Sequence, residues 1–274
     1  MKDPPRLFKS TLNPAGAGWS GTRSIPLPSK ATRKEAIRST WPMRRAGMKR
    51  PRVDYSAFRL SRINEPRFSH LKLLIGWAAY FALYFLTENL FPEERCHLVH
   101  TRLDELIPFC EYFVIPYVFW YLLVFGTLLY YLFYDVDSFE KLQTFIMITQ
   151  AAAMLVYICW PNRQDLRPEI FPRENCFTRI ISLIYAFDTP TGVCPSLHVA
   201  FSIGIASVWL KDKSAPVLWK SFVVFAVITI CIATVMIKQH SVVDTFAALP
   251  VSLLAEGIVF GKPGWHSKCK LRKE

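Results

Sequence analysis

Two short stretches hold the side chains best suited to chemistry: Thr191-Gly192-Val193-Cys194-Pro195-Ser196-Leu197-His198 and Lys238-Gln239-His240-Ser241-Val242-Val243-Asp244. Each sets a histidine at the mouth of a long apolar run. In the first, Gly192, Pro195 and Ser196 precede His198, a composition that turns a chain into a helix and keeps its first N–H groups free. A helix start of that kind binds anions, phosphate above all. In the second, His240 and Asp244 are four residues apart, so on a helix they share one face and the carboxylate can hold the imidazole. His198 has no acidic residue at that spacing. Two histidines, one oriented by an aspartate, beside a phosphate-sized cradle suggest phosphoryl transfer. The plainer alternative is that two histidines sit at a membrane edge by chance.

The elements that must position these residues are apolar runs. The chain has 274 residues, of which 52% are hydrophobic and 15% aromatic, a composition ordinary for a membrane protein and rich for a soluble one. Six runs approach the ~20 residues that span a bilayer core: about 71–90, 113–133, 142–160, 195–210, 217–237 and 242–260, the fourth being the shortest. Continuous apolar runs in lipid must be helices, because every backbone polar group has to be satisfied within the segment. The expected fold is therefore all-α, a polytopic membrane bundle of about six transmembrane helices over residues 70–261. An amphipathic piece at 177–187 is expected to lie in the interface and help to close the site. Residues 1–69 carry Pro, Arg, Ser and Gly without an apolar period and read as a basic, largely disordered tail; 262–274 form a second basic tail. The first tail suits either a solvated segment or a polybasic patch against anionic lipid, and translation could also begin later, at Met43 or Met48.

The net charge of +12 is unevenly spread: residues 1–70 hold 16 Lys/Arg and 4 Asp/Glu, and the remaining 204 hold 17 of each. The basic character thus belongs to the tail and points to no nucleic-acid partner. With six crossings, the N-terminal tail, Lys211, Lys213 and the cations from Lys262 onward share one side, which the positive-inside rule makes cytoplasmic. His198 and His240 then lie together on the opposite, extracytoplasmic or lumenal face. The loop at 161–194 reaches that face with Arg163, Arg167, Arg173 and Arg179, against the trend, and Arg suits phosphate oxygens through its planar fork. Seven cysteines show no zinc-like spacing; Cys176 and Cys194 flank one loop and could pair in an oxidising compartment. Lys238 could supply a phosphate contact or anchor a helix end. Glu256 suits a structural pair near the cytoplasmic end, and Asp188, before Thr189-Pro190, suits a turn.

These residues resemble the type 2 phosphatidic acid phosphatase superfamily, whose motifs are Lys-x6-Arg-Pro, Pro-Ser-Gly-His and Ser-Arg-x5-His-x3-Asp. The second reads here Pro195-Ser196-Leu197-His198. The third reads Ala233-Thr234, five residues, His240, three residues, Asp244. The first keeps Arg167-Pro168, with Trp160 where the Lys belongs. Leucine in the second motif and the altered start of the third are closer to the inositol phosphorylceramide synthase branch. The resemblance implies that His240 attacks phosphorus, that Asp244 fixes its tautomer, and that His198 protonates the leaving alkoxide and then deprotonates the acceptor. It further implies that Arg167, Ser196 and helix-start N–H groups hold the phosphoryl oxygens, with Gly192 and Lys238 near them. The substrate would be a phospholipid or prenyl (pyro)phosphate in the bilayer, and the acceptor water or a second alcohol. Neither metal nor cofactor is required. The competing expectation is a non-catalytic relative that binds phospholipid, or a small transporter.

Overall fold

The computed structural model describes residues 53–261, apart from the side chains of 88–90; the tails at 1–52 and 262–274, and the readings made of them, lie outside the described residues. Residues 53–68, expected from the sequence to belong to the largely disordered tail, have defined local structure. They form short 3-10 turns, and the reason is aromatic anchoring: Tyr55 hydrogen-bonds His70 Nε2 at 2.7 Å and donates to the Leu132 carbonyl at 2.9 Å, while Phe68 is fully buried and meets Phe58 edge-on. A further 3-10 stretch, Ser69–Leu74, runs into α1 (Ile75–Leu90). After α1 come β1 (His97–Leu98), the short α2 (Arg102–Leu106), α3 (Val114–Tyr134) and α4 (Val136–Cys159). Then follow β2 (Asn162–Arg163), α5 (Cys176–Phe187), α6 (Leu197–Lys211), α7 (Val217–Met236) and α8 (Val242–Phe260). The fold is an all-α bundle, and β1 and β2 form one short parallel pair that joins two loops at the site end.

Five helical segments are long and apolar enough to cross a membrane: Ser69–Thr87, Glu111–Tyr134, Val136–Cys159, Val217–Met236 and Val242–Phe260. This is a multi-pass membrane protein. The sixth expected crossing corresponds to α6, which at 15 residues is shorter than the others. It compensates by occupying the middle of the bundle, packing on α3, α4, α7 and α8. Its Gly204 makes one approach possible: a Cβ there would lie 2.6 Å from the Phe145 ring of α4. Trp209 on α6 donates to Thr127 of α3 at 3.2 Å.

α3 and α4 are joined by Asp135 alone, and α4 begins six residues before its apolar run, including Asp137, Glu140 and Lys141. Ser138 donates to the Asp135 carboxylate at 2.9 Å and Phe139 N–H to its carbonyl at 3.0 Å, so the polar turn is spent on starting the helix. α1 is fastened to α4 by polar contacts within the bundle: Trp77 Nε1 donates to Gln143 at 3.1 Å, and Gln143 donates to the Leu73 carbonyl at 3.3 Å. Such interhelical bonds recur where the apolar solvent offers no alternative partner. Large side chains on the outside, among them Phe85, Leu122, Phe225 and Leu253, are exposed, as lipid-facing positions are. Glu256 forms the structural pair expected of it, accepting from Ser207 at 2.6 Å and from Lys211.

Candidate functional site

The starts of α6 and α8 meet at one end of the bundle. The link is backbone: Ser196 N–H donates to the Asp244 carbonyl at 3.0 Å. Before α6 the chain must turn sharply, and a buried Asn162 holds it there. Its Oδ1 accepts from the N–H groups of Val193 (2.9 Å) and Cys194 (2.8 Å), its Nδ2 donates to the Cys194 carbonyl (3.0 Å), and its own carbonyl accepts from Gly192 N–H (2.8 Å). Gly192 takes φ +61°, a region costly to residues with a Cβ, and a Cβ there would also lie 3.3 Å from the Tyr157 ring. Tyr157 in turn donates to the Pro195 carbonyl at 2.7 Å. Ser196, fully buried, caps α6 by accepting from Val199 N–H, which leaves the N–H groups of Leu197 and His198 without an intrahelical acceptor, as at any helix start.

Before α8 the turn is tighter still. The N–H groups of Gln239 and His240 both donate to the Thr234 carbonyl at 3.0 Å, and Lys238 adopts φ +57°. Ser241 caps α8, and the Asp244 carboxylate returns to Ser241 N–H at 2.8 Å, a reciprocal capping box. The same Asp244 Oδ2 lies 3.3 Å from His240 Nδ1, and His240 Nε2 lies 3.3 Å from His198 Nδ1. Two residues 42 positions apart thus form a chain, carboxylate to imidazole to imidazole. His198 is walled by Trp120 and Tyr117, whose rings lie 4.3 and 4.8 Å from its own, and Trp120 Nε1 donates to the His198 carbonyl. His198 Nε2 is buried with no hydrogen-bond partner.

The histidine pair opens into a cavity of about 1000 Å³ that runs between α1 and α3 and is lined mostly by aromatic and aliphatic side chains. Its polar residues gather at the histidine end: Asp188, Thr189, Thr191 and Gln239 join His198 and His240 there. Arg167 reaches this end through Gln239, to whose amide oxygen it donates at 2.7 Å; it also donates to the carbonyls of Tyr185 and Thr189 and stacks on the Tyr185 ring at 4.6 Å. Burial lowers the proton affinity of its guanidinium, and the nearby Asp188 opposes that shift.

The remaining sequence candidates fall as follows. Gly192 lines the cavity, whereas Ser196 serves as the α6 cap. Lys238 points the other way: its ammonium donates to the carbonyls of Asp104 (2.7 Å) and Ile107 (2.6 Å), and burial depresses its pKa. Trp160, at the position of the motif lysine, stacks on His97 at 5.5 Å. Cys176 and Cys194 are both free thiols, the first exposed and the second buried, so the pair considered for them is not formed. Burial, followed by the charge of Asp244, pushes the Cys194 thiol up to about 12.

Four residues of the site were given no part in it from the sequence. Asp188 is more than a turn residue: it accepts from Tyr84 at 3.2 Å and from Gln239 at 3.4 Å at the cavity wall. Asn162 and Gln239 act as described above. Asp104, buried on α2, accepts four hydrogen bonds, from Thr101 N–H and Oγ1, from Ser241 Oγ and from Val242 N–H. The only sequence trace of these is Thr101-x-x-Asp104, which has the spacing of a capping box.

Fold and site together define a multi-pass helical membrane protein with a His-His-Asp cluster at the head of an apolar cavity. No family model, no curated protein and no solved structure matches this chain.

Proposed function

We propose that this protein is an integral-membrane lipid phosphoesterase of the type 2 phosphatidic acid phosphatase superfamily, working through a phosphohistidine. The observation that carries the reading is the Asp244–His240–His198 chain at the polar end of an apolar cavity. Asp244 engages Nδ1 of His240, which leaves Nε2 as the nucleophile. The Nε2 lone pair forms the N–P bond. The P–O bond to the lipid alkoxide breaks with its electron pair going to oxygen, and protonated His198 supplies the proton. In the second half, His198 takes a proton from water or an alcohol as that oxygen attacks phosphorus. The N–P bond then breaks and its pair returns to His240. Leu197 and His198 N–H groups, with Arg167 acting through Gln239, favour the charge that develops on the phosphoryl oxygens.

Transfer to a second alcohol is the favoured outcome over hydrolysis. Relative to the superfamily motifs, three polar or basic positions are Trp160, Ala233 and Thr234, and a carboxylate, Asp188, lines the cavity. That balance suits a phosphodiester better than a dianionic monoester. The distribution of Lys and Arg supports a topology with both termini in the cytoplasm and the site on the other face. The test is acid-quenched labelling with a ³²P-lipid. Wild-type protein should carry a base-stable, acid-labile phosphoryl group, and His240→Ala none. A normal level of labelled His240→Ala protein would end the assignment.

A further inference from the structure

The cavity has a floor as well as a head. At the histidine end Tyr121 stands 6.3 Å, ring to ring, from His198. At the opposite end lie Leu74, Leu132 and Phe139, with no polar side chain among them. That end is closed from beneath by the segment that precedes α1: Tyr55 donates to the Leu132 carbonyl, bonds His70, and His70 packs edge-on against Phe139 at 5.9 Å. The cavity is also open along one side. Phe81 on α1 and Tyr121, Phe125 and Leu129 on α3 line it and are at the same time exposed on the outer surface, by 36 to 65%. In a bilayer that surface meets lipid chains, so the opening is a lateral slot between α1 and α3.

Resting on the phosphoesterase reading of the same site, we infer that this slot takes a hydrocarbon chain of the substrate lipid edgewise from the bilayer, and that its floor measures the chain. The occupant follows from the chemistry of the two ends. A molecule that fills the space must put a polar group at the histidines and a continuous apolar body along the wall, and it must be able to enter from the membrane side. A lipid chain attached to a phosphorylated head does all three. The length follows from α3. Tyr121 and Leu132 are eleven residues apart, about 16 Å along the helix axis at 1.5 Å per residue. An extended chain advances about 1.25 Å per carbon, given bonds near 1.5 Å and angles near 111°. The slot therefore accommodates about 13 carbons below the head. Shorter chains leave the floor empty, and longer ones must bend or leave through the lateral opening.

The test is photolabelling of the full chain in lipid nanodiscs with lysophosphatidic acids that carry a terminal diazirine. Chains of roughly 8, 13 and 18 carbons bracket the depth expected from the rise per residue. The 13-carbon probe should label Leu74, Leu132 or Phe139. The 8-carbon probe should label higher, near Leu128, and the 18-carbon probe should label the floor several-fold less. Labels scattered over the outer face of α7, at Leu218 and Phe225, with no dependence on length, would overturn the inference. Leu132→Trp should move floor labelling to the shorter probe. Phe125→Trp, at an exposed position that the fold tolerates, should cut floor labelling by the 13-carbon probe; an unchanged pattern in both variants counts against a ruler. Because labelling needs no turnover, it separates the two readings. Floor labelling without phosphoenzyme keeps the slot and removes the chemistry, and phosphoenzyme with random labelling does the reverse.

Discussion

The two histidines differ in what surrounds them, and the roles proposed for them rest on that difference. His240 is held by a carboxylate at Nδ1 and shows Nε2 to His198. His198 has no carboxylate; its walls are Trp120 and Tyr117. Asp244→Asn should therefore retain the fold and lower the rate by up to about 10⁴, the loss seen when the aspartate of a Ser-His-Asp triad is replaced. His198→Ala should lose most activity on lipids with poor leaving groups and much less on a nitrophenyl phosphate, whose departure needs little protonation. Steady-state rates on the two substrate types read this directly. Equal losses on both would remove His198 from the acid role. Lys238 shows why residue type alone misleads: a cation two residues before His240 looks like a phosphate contact, yet its backbone takes a positive φ and its ammonium bonds carbonyls of the α2 segment.

At the scale of elements, the turn that carries His240 is held from outside by α2. Asp104 takes the Val242 N–H and the Ser241 hydroxyl at the start of α8, and Lys238 returns two bonds to carbonyls of the α2 segment. Burial would raise the Asp104 pKa, but the hydrogen bonds from Val242, Ser241 and Thr101 outweigh it and hold the carboxyl below its ordinary 3.8. A depressed carboxylate contributes stability that is full above its unfolded value and is lost as pH falls through the folded one. Asp104→Ala should thus lower the thermal midpoint in detergent at pH 7, consistent with about 1–3 kcal/mol for orphaning buried donors. The gap to wild type should begin to narrow only below about pH 4, the unfolded value, and close as pH falls through the lower folded one. A gap that does not change with pH would mean that packing, and not the charge, matters. This clamp also marks the limit of what the chain revealed in advance. The long apolar runs were legible because a bilayer-length stretch has few alternative structures, and His198, His240 and Asp244 were legible because local spacing sets a helical face. Asp104, Asn162 and Asp188 act through partners tens of residues away or more, and nothing local encodes such pairings. The early start of α4 was hidden for a related reason, since Asp137 and Lys141 look like loop until Asp135 is seen to be the single residue between α3 and α4.

For the whole molecule, the proposed orientation rests on the Lys/Arg asymmetry and can be checked by labelling. In a background without native cysteines, Ile170→Cys, at a position 86% exposed, should react with a membrane-impermeant maleimide from the extracytoplasmic side, and Ser267→Cys only from the cytoplasm. The reverse pattern would invert the molecule. The length of α6 has a consequence of its own. Fifteen residues make a rod of about 22 Å, against the ~30 Å of a hydrocarbon core. The four helices packed around it are each long enough to span, so the shortfall is met inside the protein and the bilayer need not thin. On the proposed phosphoesterase reading, a substrate lipid would reach His198 by drifting sideways within its leaflet. Turnover would then be a two-dimensional encounter. It would be governed by the mole fraction of substrate in the leaflet and by lateral diffusion, and be indifferent to how much lipid is suspended in the surrounding water.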